Sequence, residues 1–140
     1  MEIEFPLAAE LVVPHRPPML LIDSLVRAGE YEAETSATVA RDGLFTDGKG
    51  LLDPVALLEM MAQTVAALGG YLGLEGGAAP KRGWLVAVRS FSFSAEVRAG
   101  DELRIMVRRT DVLEGFELGL GEVWRGETLV AAADLRVWAP

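Results

Sequence analysis

The sequence predicts an α+β domain in which an antiparallel sheet of about six strands wraps around one long central helix. Three observations carry this prediction. Residues 54–73 read PVALLEMMAQTVAALGGYLG, an apolar stretch in which Glu59 is the lone charge. Two alternating segments precede it and four follow. Short turns join the later segments, which favours antiparallel neighbours, and only the apolar stretch is greasy enough to fill the concave face of such a sheet.

The first two strands are expected at residues 19–26 and 31–39, joined by the turn Ala28-Gly29-Glu30. In the second, Tyr31, Ala33, Thr35, Ala37 and Val39 alternate with Glu32, Glu34, Ser36 and Thr38, the period of a half-buried strand. A polar segment, 41–50, then leads to Asp53-Pro54. Asp suits the cap of a helix and Pro its first turn, so the helix should begin there. It should end near Gly73, with the Gly69-Gly70 pair weakening its last turns.

Within this helix Leu57, Leu58, Met60, Met61, Val65, Ala66, Ala67 and Leu68 point in every direction, which predicts burial all round. An ionised carboxylate in such a place is costly unless paired. Glu59 is therefore expected to be partly protonated, hydrogen-bonded, or facing a cavity, which are conditions that suit a general acid. The bland alternative is a carboxyl satisfied by Gln63 one turn on, or one reaching solvent at an edge.

Residues 73–82, GLEGGAAPKR, read as a loop. Strands are then expected at 84–97, 102–110, 116–124 and 128–138, forming a meander. Their turns fall at Ala99-Gly100-Asp101, Leu113-Glu114-Gly115 and Arg125-Gly126-Glu127. Asp23 is expected to end the first strand, and Asp53 to cap the helix.

With 140 residues, the chain reads as one domain, 1–140, large enough to bury a core without staples. Cysteine is absent, which excludes disulfides, a thiolate nucleophile and cysteine metal sites, and fits a reducing cytoplasm. MEIEFPLAAE opens with acidic residues rather than a basic segment and an apolar run, so no signal peptide is expected. Glu59, Gln63 and two glycines in the apolar helix argue against membrane insertion. A net charge of -8 argues against nucleic acid as a partner.

Three motifs bring a family into view. Residues 14–23, PHRPPMLLID, resemble the PHRxPxLLxD opening of FabZ-type 3-hydroxyacyl-[acyl-carrier-protein] dehydratases. Residues 55–63, VALLEMMAQ, are similar to that family's GVLxxExxAQ helix, and 97–103, VRAGDEL, to its VxPGDxL turn. The resemblance runs from about 11 to 138 and is strongest toward the small dehydratase-like proteins of aryl polyene-type pathways. It implies the hotdog fold and a homodimer that usually shares its active site across the interface. It also implies a carrier-protein or coenzyme A thioester as substrate, and neither cofactor nor metal.

The resemblance further implies His15 and Glu59 as the catalytic pair, although they stand 44 positions apart. Removing water from a 3-hydroxyacyl thioester needs a base for the α-proton and an acid for the departing hydroxyl, roles that an imidazole and a desolvated carboxyl can fill. His15 is the sole histidine, and Pro14, Pro17 and Pro18 stiffen its loop. Free amides at the helix start, those of Val55 and Ala56, would hold the thioester oxygen. Gln63 joins the substrate-binding set, or supports the site by hydrogen bonding. Met60 and Met61 read equally as core packing or as the lining of an acyl tunnel.

The chain also departs from the pattern. Where the family carries HFPxxPxMPG, residues 44–54 read LFTDGKGLLDP. Pro54 stands where the family has a glycine whose amide would contact the thioester oxygen, and proline has no such donor. Two other functions therefore stay open: a hotdog thioesterase using Glu59, and a non-catalytic dehydratase-like subunit that binds acyl carrier protein. Lys81 and Arg82 with Arg16, Arg89 or Arg98 read either as a basic patch for an acidic carrier or as scattered surface charge.

Overall fold

The computed structural model describes residues 3–80 and 83–139, so Lys81 and Arg82 of the basic patch lie outside it. Seven strands form one sheet: β1 (Leu7–Ala8), β2 (Ser24–Ala28), β3 (Glu32–Thr38), β4 (Trp84–Phe93), β5 (Glu102–Leu113), β6 (Phe116–Arg125) and β7 (Thr128–Trp138). Their spatial order is β1-β2-β3-β5-β6-β7-β4, antiparallel throughout. Helix α1 (Val55–Glu75) packs across β3, β5, β6 and β7.

Alternation places the core. Ala33, Thr35 and Ala37 of β3, Leu103, Ile105 and Val107 of β5, and Ala131, Ala133, Leu135 and Val137 of β7 are buried, as are Leu57, Met61, Val65 and Leu68 of α1. Two buried polar groups satisfy each other: the Thr35 and Thr64 hydroxyls lie 2.7 Å apart, and Thr64 also donates to the Met60 carbonyl at 2.8 Å. That contact ties the helix to β3 without leaving an orphan polar atom. The helix has the length and hydropathy of a membrane span, but 56% of that window is buried inside the fold, as in a core helix.

Several expectations need correction. The expected sheet of about six strands is present and numbers seven, Leu7–Ala8 adding a short edge. Residues 19–23 are not strand: Met19 and Leu20 both donate to the Arg16 carbonyl, and the Leu21 amide leaves the sheet to reach Gln63. Asp23 accordingly precedes β2 instead of ending it, and accepts the Thr38 amide at 2.7 Å.

The late strands are not a simple meander. Strand β4 pairs with β7, not with its successor β5, since β5 already has β3 on one side and β6 on the other. Gly69 and Gly70 do not shorten the helix, which runs two residues past Gly73. Gly70 is instead the crossing point of the N-terminal segment, where any Cβ would collide with the Val12 backbone.

Candidate active site

The His15 loop is held at both ends. On its N-terminal side Val12 and Val13 are fully buried and donate their amides to the Ala9 carbonyl at 3.0 Å each. The Arg16 guanidinium then staples the loop to itself, donating to the carbonyls of Val13 (3.0 Å), His15 (2.7 Å) and Glu10 (3.3 Å). A planar fork with several donors suits that task.

On the C-terminal side the clamp is Gln63, whose side chain is fully buried in α1. Its Oε1 accepts the Leu21 amide at 2.9 Å, and its Nε2 donates to the Met19 carbonyl at 2.7 Å and to Glu59 Oε1 at 3.1 Å. Both amide hydrogens are thus committed within the chain. Of the two expectations for Gln63, these bonds fit support of the site by hydrogen bonding, since one side chain touches both the loop and the carboxylate.

These anchors bring His15 Nε2 to 3.8 Å from Glu59 Oε1 within a single chain. The gap exceeds a hydrogen bond. Their side chains are 20% and 25% exposed, so both are reachable. The expectation that α1 is buried all round is therefore corrected: one flank, which includes Val55, Leu58, Glu59 and Ala66, is open to varying degrees. Burial holds the His15 imidazole below its ordinary pKa; the Glu59 carboxylate opposes this and Arg16 reinforces it. His15 Nδ1 is buried with no hydrogen-bond partner among the described residues. A neutral imidazole can accept a proton.

The start of the helix differs from expectation. The Val55 amide donates to Asp53 Oδ1 at 3.0 Å, and the Ala56 amide to the Asp53 carbonyl at 2.9 Å. Asp53 thus caps the helix as its residue type predicts, but in doing so it occupies both amides expected to hold a thioester oxygen. In this arrangement the Val55 and Ala56 amides both have partners within the chain. The bracing role of Arg16 is not visible in the sequence, whereas the Glu59–Gln63 pairing is, as an i, i+4 spacing on one helix face.

The family model described as ApeP-like, ApeP dehydratase, matches residues 7–140. The 3-hydroxyacyl-[acyl-carrier-protein] dehydratase FabZ of Alkalilimnicola ehrlichii is 31% identical over 130 residues, covering 89% of this chain and 83% of that protein. Among solved structures, the dehydratase heterocomplex ApeI:P from Xenorhabdus doucetiae is similar at a TM-score of 0.89 and 25% identity, covering 96% of this chain and 91% of the other. A hypothetical thioesterase with coenzyme A from Streptococcus pneumoniae TIGR4 reaches a TM-score of 0.65 at 11% identity, covering 83% and 84%, a likeness of fold alone. The fold is the hotdog fold, as the motifs implied.

Proposed function

Because the chain belongs to the ApeP-like dehydratase family, we propose that it eliminates water from a 3-hydroxyacyl thioester to give the trans-2-enoyl thioester. The thioester is carried by acyl carrier protein or coenzyme A, and the reaction runs in the cytoplasm. The observation that carries this reading is the 3.8 Å approach of His15 Nε2 to Glu59 Oε1.

In this mechanism the neutral His15 imidazole takes the α-proton, and Glu59 in its protonated form delivers a proton to the 3-hydroxyl, which leaves as water. After product departs, the proton on the imidazole returns to the carboxylate across the short gap, resetting the pair. Gln63 keeps the carboxylate oriented throughout. The chain needs neither metal nor organic cofactor for these steps.

We further infer a homodimer, built on the free edge of β4. Trp84, Val86 and Val88 on that edge strand are 53%, 50% and 39% exposed, and an apolar edge of ten residues is a template for a second strand. By likeness to the ApeI:P heterocomplex, a different dehydratase-like chain is the other candidate for that edge.

A second reading rests on Asp53. With Pro54 lacking an amide hydrogen and the Val55 and Ala56 amides occupied, the chain lacks a ready donor at the helix start, which favours a subunit that binds acyl carrier protein without turnover. A panel of carrier-linked and coenzyme A-linked 3-hydroxyacyl substrates, scored for enoyl thioester against free acid, separates dehydration, hydrolysis and binding alone. Glu59→Gln and His15→Ala should each fold and lose dehydration by about 10²–10⁴ fold. Full turnover by both folded variants would overturn the assignment.

A further inference from the structure

We propose that the outer face of the sheet, centred on Leu118 and Leu120 of β6, binds the same face of a second copy of this chain about a two-fold axis lying along β6. This contact goes beyond the reaction and does not depend on it.

The polarity of β6 is inverted. Its positions toward the helix hold Glu117, Gly119 and Gly121, whereas Phe116, Leu118 and Leu120 face outward. The helix is the cause: a Cβ built on Gly121 would stand 2.5 Å from Met61 Sδ, so the inner face has no room for a side chain there. Leu120 is 49% exposed, and Phe116 packs against the outward Trp138 of β7 with ring centroids 4.6 Å apart. A contiguous apolar strip on an outer face marks a contact surface.

The charges beside the strip match a second copy. Cross-strand register sets Arg108 of β5, Leu120 and Asp134 of β7 in one row. The neighbouring row is Asp111, Leu118 and Arg136, with the signs exchanged. Rotation about an axis along β6 lays the β5 side of one copy over the β7 side of the other. Arg108 then faces Asp134 of the second copy and Asp111 faces Arg136, each twice by symmetry. The same rotation sets Leu118 and Leu120 against themselves and Met106 against Ala132, a large side chain on a small one. Glu122, on the axis between Met106 and Ala132, meets its own copy and is the one unfavourable contact.

Within the chain these four charges are idle. Among the described residues none of them forms an ion pair, whereas Glu34 on the same face is paired by Arg27 at 3.3 Å. Arg136 Nε is buried with no hydrogen-bond partner among the described residues, and Asp111 Oδ1 accepts only the adjacent Val112 amide at 2.8 Å. The face is hollowed by a trough of about 620 Å³ lined by Met106, Arg108, Leu120, Glu122, Ala132 and Asp134 among others. Side chains of a facing sheet can interdigitate there, as in aligned sheet packing. An acidic carrier protein would meet both signs of charge on this face, so a second copy is the better match.

Sedimentation equilibrium of the full chain over a concentration series tests the contact. Leu120→Glu should halve the mass of the associated protein while its melting transition is retained. Arg108→Glu and Asp134→Arg should each weaken association by about tenfold or more, since each sets like charges face to face twice, and the double variant should restore it. Glu122→Gln should strengthen it. Trp84→Glu, on the β4 edge, reads the separate homodimer and should leave this contact in place. A mass that Leu120→Glu leaves unchanged, or a double variant that associates no better than the single ones, overturns the inference. Carrier-protein binding that is lost with Leu120→Glu while the mass of the chain alone stays the same overturns it too.

Discussion

Gln63 Nε2 donates a 3.1 Å hydrogen bond to Glu59 Oε1 while the same side chain holds Met19 and Leu21, so one buried amide sets the position of the carboxylate and of the loop that carries His15. Replacing it removes the link between the two halves of the site.

Gln63→Ala should leave the Leu21 amide and the Met19 carbonyl without their partner, lowering unfolding stability by about 2 kcal/mol in a urea titration. Turnover should fall by about tenfold or more, chiefly in kcat, because the loss is one of alignment rather than of substrate contact. An unchanged kcat in a folded variant would remove Gln63 from the positioning role.

The lowered pKa of His15 sets the acid limb of the pH profile. Its cause is burial first, opposed by Glu59 and reinforced by Arg16. A base must be unprotonated, so kcat/KM should rise with pH through a midpoint below the usual histidine value of about 6.5. Stability has the same sign: below about 6.5 the unfolded chain takes up the proton more readily than the folded one, so stability falls as pH drops from there toward the folded pKa. Melting curves of His15→Asn should lack that component.

Neighbouring glycines should respond oppositely to alanine. Gly70→Ala drives a methyl into the Val12 backbone and should cost about 2–3 kcal/mol. Gly69→Ala meets only Glu117 Oε1 at 3.9 Å, an ordinary contact, and should stabilise by about 0.5–1 kcal/mol through helix propensity. Thermal melts of the two variants check the contrast, and equal effects would mean that the N-terminal segment does not cross at Gly70.

Asp53→Ala should cost about 1 kcal/mol, the usual worth of a helix cap, because the Val55 amide loses its 3.0 Å acceptor. The same substitution frees that amide. Any gain in kcat/KM per folded molecule would identify Asp53 as a competitor of the thioester oxygen, and a pure loss of stability would leave it as a cap alone.

Local chemistry made much of this protein readable in one dimension. The period of two in residues 31–39 and the glycines at 100, 115 and 126 marked strands and turns, because those preferences depend on neighbours a few positions away. Motif likeness named His15 and Glu59, and Asp53-Pro54 announced the helix start. Other features depend on residues distant in sequence and needed the folded chain. Strand β4 crosses to β7 because β3 has taken the edge of β5, and Gly70 is required by a backbone from the other end of the domain. The Val55 and Ala56 amides turn inward to Asp53, and Gln63 spends its hydrogens on Met19 and Glu59. Sequence by itself determined most of the elements and singled out His15 and Glu59 as candidates, since propensity and residue chemistry are local. Only tertiary structure decided which donors remain free and how close the pair stands, since burial and hydrogen-bond competition arise between segments that meet only on folding.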